Sequence, residues 1–220
     1  MRIESKGGYD YWNWGTADFD KAFDVLSTTT SGHRLQEYFQ LTSIPTYEQL
    51  ESLGNLVDSR VEYGLLVKTD TAYLIQGLEK SVGGGLASDD GVIFLHTHPN
   101  NTPPSLGDLA ISGRKLHSAH AVINKEGIYS YTGPFILEPS PKSFESEDAK
   151  VDYVLGRNHL ALEQARQESD QAFWEEYIKA FKNAGANINM YSWGQDAEAF
   201  WSRIIENYEA YLAHCGISIP

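Results

Sequence analysis

The chain has 220 residues, 41% of them hydrophobic, which is enough chain and apolar content for a real globular core. Thirty acidic against seventeen basic residues give a net charge of −13; this repels nucleic-acid phosphates and anionic membranes, so the expected partners are neutral or basic. No stretch approaches the roughly 20 apolar residues of a membrane span, Met1 to Lys6 lacks the apolar core of a signal peptide, and a single cysteine, Cys215, supports neither an internal disulfide nor a cysteine-based zinc or redox site. The expectation is cytoplasmic residence, or export without a signal peptide.

Residues 1 to 32 carry Tyr9, Tyr11, Trp12 and Trp14 close together, followed by a short helix over Asp18 to Leu26 and a Thr/Ser/Gly breaker at Thr28 to Gly32. The aromatic cluster reads as packing onto the body of the protein, with an exposed docking surface as the alternative. His33 to Leu41 has helical spacing, and a second helix follows a Thr46 cap through Leu50, Leu53 and Leu56. From Val61 the period becomes extended. Val61–Lys68 and Thr71–Gln76 form a hairpin about Thr69-Asp70.

Gly83-Gly84-Gly85 and Ser88-Asp89-Asp90-Gly91 lack the lysine of a phosphate loop and the spacing of a dinucleotide fingerprint, so they read as a flexible loop bordering a site. Leu106 to His117 reads as a helix and Ala119–Asn124 with Ile128–Tyr131 as a hairpin. Pro134 to Pro141 is a proline-punctuated linker. A helical period then runs from Glu145 to Ala184, ending at Gly185, and a last helix from Gln195 to His214. The aromatic stripes on these helices are core, packed on the sheet or on a second copy of the chain, which makes them the expected surface for homo-oligomer formation.

The residues with chemistry are concentrated in His96-Thr97-His98-Pro99, at the end of the apolar run Gly91–Leu95, and in Ser105-Leu106-Gly107-Asp108. Residues two apart on a strand share a face, so His96 and His98 present two imidazoles to one point while Thr97 faces away. Zinc takes imidazole nitrogen and carboxylate oxygen, and a catalytic site leaves one position open. Asp108 is the candidate third ligand, brought back over the histidines by a short, proline-stiffened connection. Ser105 and Asp108 also have the spacing of a helix capping pair, and His117 and His120, which share no face, read as surface or packing residues.

The pattern His-Thr-His-Pro, a short loop, then Ser-x-x-Asp resembles the zinc-binding signature of the JAMM (JAB/MPN-type) metallopeptidases, over roughly residues 60 to 133. Six residues, Pro99 to Pro104, separate His98 from Ser105, one fewer than is usual in the family. The resemblance implies an α/β (α+β) fold, a mixed β-sheet flanked by helices with a JAB/MPN (cytidine deaminase-like) core, and here a helical C-terminal extension. It implies Zn2+ on His96, His98 and Asp108, Glu62 as general base and Ser105 as an oxyanion contact. Glu62 precedes a Gly-Leu-Leu strand as in the family, with a shorter spacer, and is preferred to Glu79, which no strand run follows. The expected organisation is an N-terminal aromatic and helical segment (1–59), a catalytic core (60–133), a linker (134–144) and a helical extension (145–220).

The function so implied is zinc-dependent hydrolysis of a peptide or isopeptide bond, at a ubiquitin-like C-terminus in the manner of a deubiquitinase, or as a bacterial toxin or effector. The alternative is a JAMM-like binding or scaffold module with a non-catalytic zinc site. Neither nucleic acid nor membrane is an expected partner.

Overall fold

A computed structural model of the chain describes residues 2–6, 8–29, 35–79, 81–83, 86, 91–114, 119–131 and 147–217. Strands β1 (Arg2–Lys6) and β2 (Tyr9–Ala17) form an antiparallel hairpin at the N-terminus, so the aromatic segment is part of a sheet. Asp18 then caps α1 (Phe19–Thr28), its carboxylate accepting from the Lys21 N–H at 2.9 Å. Helix α1 buries Phe19, Ala22 and Leu26 on one face and returns the chain to β3 (Gln36–Leu41), which lies parallel to β2. Parallel neighbours need such a crossover.

The strand β3 corrects the helical reading of His33 to Leu41. Every position of β3 except Gln40 is buried, because side chains pointing both ways meet other layers, and a strand buried on two faces shows no polar alternation to betray it. Thr46 caps α2 (Tyr47–Leu53) with a reciprocal capping box involving Gln49. A 3-10 turn then leads to β4 (Tyr63–Lys68) and β5 (Ala72–Gln76), paired antiparallel as the turn at Thr69-Asp70 predicts.

Strand β6 (Gly91–Thr97) pairs antiparallel with β4. Helix α3 (Leu106–Arg114) carries the chain across to β7 (Ala119–Asn124), parallel to β6, and β8 (Gly127–Tyr131) completes the expected hairpin. The single helical run expected over Glu145 to Ala184 is two helices, α4 (Glu147–Glu168) and α5 (Asp170–Asn183), divided where the Ser169 hydroxyl accepts from the Ala172 N–H at 3.0 Å. Gly185, at φ 93°, ends α5 in the left-handed conformation glycine tolerates. A further strand, β9 (Ile188–Ser192), pairs with β8 before α6 (Gln195–His214).

The result is a mixed α/β fold around one nine-stranded mixed sheet in the order β1-β2-β3-β5-β4-β6-β7-β8-β9, flanked by helices. The sheet crosses the segment boundaries drawn from sequence, since residues 1–59 contribute three strands and residues 145–220 one. On one face Leu65, Leu95, Ile123 and their neighbours pack beneath α1, α2 and α6. On the other, Val122, Tyr131 and Ile188 pack beneath α3, α4 and α5. Among the described residues no helix is long and apolar enough to cross a membrane. Most of the glycine-rich loop (84–85, 87–90), His117 and the linker 134–141 lie outside the described residues.

Candidate metal centre

Strand β6 alternates as a sheet interior must. Ile93, Leu95 and Thr97 face the α1/α2/α6 side, where the Thr97 hydroxyl accepts from the Tyr63 N–H at 2.9 Å; on the opposite face His96 meets Asp108 of α3, and Phe94 packs against the Tyr38, Leu66 and Ile75 cluster. His98 stands just past the strand, its N–H still donating to the Ile123 carbonyl at 3.3 Å. Both histidines are buried. Two left-handed asparagines, Asn100 (φ 71°) and Asn101 (φ 60°), then reverse the chain, a conformation asparagine adopts more readily than most residues. The Asn101 side chain accepts from the Lys125 N–H at 2.7 Å, which ties the turn to the β7–β8 hairpin.

The loop returns Asp108, in the first turn of α3, onto the two imidazoles. Its Oδ1 lies 3.2 Å from His96 Nε2 and its Oδ2 lies 3.2 Å from His98 Nε2, while the two Nε2 atoms are 3.1 Å apart. The His98 Nδ1–H donates to the Pro103 carbonyl at 3.0 Å, with Thr102 Oγ1 at 3.1 Å, so the lone pair of neutral His98 sits on Nε2 and points into the cluster. The His96 ring stacks on Phe94, and its Nδ1 has no hydrogen-bond partner among the described residues.

Ser105 joins the site through Asp108. Its backbone N–H and its hydroxyl both donate to Asp108 Oδ2, at 2.7 and 2.6 Å, and Ser105 Oγ accepts from the Asp108 N–H at 3.3 Å. The capping pair and the candidate ligand are therefore one arrangement. Glu62 lies one step before β4. The ladder pairs Gly64 with His96, and two further residues along each chain bring Glu62 to the level of His98, on the same face. Its N–H donates to Leu78 O and its carbonyl accepts from Gly77 N–H, which fixes its backbone in the sheet. Glu79 sits exposed in the following turn.

Charge in this cluster is strongly coupled. Burial pushes Asp108 up, but His96 and His98 overwhelm that and hold its carboxyl well below the usual range. Burial pulls His96 down, yet the Asp108 carboxylate, and to a lesser degree Glu62, raise it above its ordinary value. Glu62 is raised by burial, with the two histidines opposing and Asp108 reinforcing the shift. A cluster of acceptor atoms this close calls for a positive charge among them, which a proton on His96 or a metal cation supplies.

The donor set fits a metal ion. Bonds of about 2.0–2.1 Å in a tetrahedral zinc site place ligand atoms roughly 3.3 Å apart, close to the 3.1 and 3.2 Å found here. The His96–His98–Asp108 group is thus close enough to bind a metal ion. Two histidines and one carboxylate also hold iron(II) in other centres, so the donors alone do not single out zinc.

Sequence reasoning missed three supports of the site. The Asn100-Asn101 turn is one; two adjacent asparagines after a strand were the available signal. Tyr177 of α5 is another, its buried hydroxyl donating to the Pro104 carbonyl at 3.2 Å. Tyr131 of β8 is the third, a buried ring stacked on His120 and close enough to Asp108 and Glu62 that their charges add to the effect of burial in raising its hydroxyl well above the usual range. No local signal pointed to either tyrosine, because both reach the site only through the pairing and packing of distant elements. His120 is a buried packing residue. Compared with models of known protein families, with curated proteins and with solved structures, the chain matches none.

Proposed function

We propose that this chain is a zinc-dependent amide hydrolase of JAMM-like kind, with a JAB/MPN-type core, that cuts a peptide or isopeptide bond in an extended protein tail. The observation that carries the reading is the convergence of His96 Nε2, His98 Nε2 and the Asp108 carboxylate at 3.1–3.2 Å beside a desolvated glutamate. His96, His98 and Asp108 would hold the ion, which would supply Lewis acidity and lower the pKa of a water toward neutrality. Glu62 takes the proton of the attacking water and passes it to the leaving amine; burial has raised its affinity for that proton, as a base working near neutral pH requires. Ser105 holds Asp108 in its ligating orientation. An oxyanion contact from Ser105 uses the same hydroxyl proton, so it forms only when Asp108 Oδ2 gives that bond up. The substrates that fit the resemblance are a ubiquitin-like tail or a target protein of an effector, encountered in the cytoplasm or after export.

One observation favours a second reading, a binding module with a structural ion: the Ser105 hydroxyl is committed to Asp108. Elemental analysis of wild type, His98→Ala and Glu62→Gln, followed by a screen of peptide and isopeptide substrates, separates the two. About one zinc per chain, lost in His98→Ala and kept in Glu62→Gln, with turnover in wild type alone, is the expected result. Absence of any bound metal after reconstitution sinks both readings; iron in place of zinc sinks the first.

A further inference from the structure

A groove of about 400 Å³ opens between α3, α4 and α5 beside the metal cluster. Ser105 and Leu106 at the start of α3 line one side, and Leu155, Leu162, Trp174 and Tyr177 line the other. Leu106, Leu155 and Trp174 are only half-buried, so apolar surface faces the opening. The floor is firm: Trp174 and Tyr177 meet edge to face at 5.4 Å, and Tyr177 is itself anchored to the Pro104 carbonyl. Ser105 belongs to both places, lining the groove and donating to Asp108.

We infer that the groove is the specificity pocket of the proposed hydrolase and takes the large apolar side chain, phenylalanine-like or leucine-like, of a residue near the scissile amide. The inference rests on the hydrolytic reading above. Its size falls at the low end of the roughly 300–1,000 Å³ of small-ligand pockets, the scale of a peptide segment and not of a folded domain. Glu163, Arg166 and the exposed His159 also line it; Glu163 and Arg166 balance each other in sign and Arg166 already lies over the Phe173 ring at 4.2 Å, so this pair offers a charged side chain no net attraction. The chain's net charge of −13 further disfavours acidic segments. A neutral, apolar side chain is what remains.

The test uses uncharged fluorescein-labelled peptides of glycine and serine that differ at one position, Phe, Leu, Ala or Asp. Zinc-loaded wild type is assayed for kcat/KM, with the cut located by mass, and zinc-loaded Glu62→Gln for binding. Phe and Leu peptides are expected to exceed Ala by about tenfold to a hundredfold in both assays, the usual discrimination of an apolar pocket. Leu155→Glu, and independently Trp174→Ala, should collapse that ratio, whereas Leu160→Glu, on the same helix at an 83% exposed position outside the groove, should keep it. The ratio is insensitive to partial loss of folded protein. Equal handling of Phe and Ala by wild type, or a ratio unmoved in both groove variants, overturns the pocket even where hydrolysis is confirmed. If zinc binds and no peptide is cut, the hydrolytic reading fails by itself; Phe-selective binding that Leu155→Glu abolishes then still supports the pocket, and unselective binding overturns it.

Discussion

Ser105 and Asp108 hold each other: the serine gives its N–H and its hydroxyl to Asp108 Oδ2, and its Oγ accepts the Asp108 N–H. A helix cap and the orientation of a candidate metal ligand are thereby the same set of bonds. Ser105→Ala removes two of the three and leaves the backbone donor. Loss of the cap should cost about 1 kcal/mol of stability, and loss of the ligand's partner about tenfold or more in metal affinity. Thermal melts of the metal-free protein and zinc titration against a competing chelator measure the two effects separately. Unchanged affinity in Ser105→Ala would show that the backbone N–H alone sets the carboxylate.

Glu62 should behave as a base and not as a ligand. Glu62→Gln keeps the shape and one acceptor oxygen of the side chain but puts an amide NH2 in place of the other oxygen and cannot take a proton, so kcat should fall by about 10²- to 10⁴-fold while zinc content stays. Burial raises Glu62 above its ordinary 4.5, with His96 and His98 pulling against the shift. A base works only when deprotonated, so turnover falls as pH drops through the Glu62 value, and Glu62→Gln should lack that acid limb. The cation itself favours the carboxylate, so zinc should lower the Glu62 value relative to the metal-free protein, a shift readable by carboxyl NMR.

The His96–His98–Asp108 group was legible in the sequence because His96 and His98 are two apart at the end of one strand, and Asp108 lies in the first turn of the next helix. Short-range geometry governs that much. The hairpins β4–β5 and β7–β8 were legible for the same reason, as was the Thr46 cap. Strand β3 was not, because Leu35, Tyr38 and Phe39 imitate a helical stripe while burial on both faces hides the strand period. Strands β1, β2 and β9 join the sheet by pairings whose partners the local sequence does not name, and Ile188–Ser192 is too short to show a period. Ser169 divides α4 from α5 where the periodicity runs on almost unbroken; a serine followed by Asp170 was the cap signal passed over.

Tyr177 ties the C-terminal helices to the site loop. Its hydroxyl donates to the Pro104 carbonyl, and the neighbouring Pro103 carbonyl accepts the His98 Nδ1–H. Tyr177→Phe fills the same space but leaves a buried carbonyl without that donor, a cost of about 1–3 kcal/mol. The variant should melt earlier and bind zinc more weakly than wild type, because the loop that fixes His98 is less restrained. Phe181, buried one helical turn further along α5, serves as the comparison: Phe181→Leu should lower stability with a smaller effect on metal affinity. Equal loss of affinity in both variants would mean that Tyr177 acts through the core and not through Pro104.

The metal-free protein should have a stability optimum in pH that zinc broadens. Asp108 is held well below its ordinary 3.8, so its contribution is present above 3.8 and is lost as pH falls through its folded-state value. His96 is raised above its ordinary 6.5, so its contribution is complete below 6.5 and is lost as pH rises through its folded-state value. Both are in force between 3.8 and 6.5. Glu62 opposes them, since an acid raised above 4.5 becomes a growing penalty as pH climbs past that value. On the alkaline side His96 has lost its proton while Asp108 and Glu62 keep their negative charges. Melts of chelator-treated protein should therefore show Tm falling as pH rises through the His96 value. Zinc replaces the proton with a cation that does not titrate away there, so the zinc-loaded protein should hold its Tm over the same range and gain most where the metal-free protein is weakest. The same alkaline decline in His96→Gln, which has no imidazole to titrate, would assign the loss to other groups.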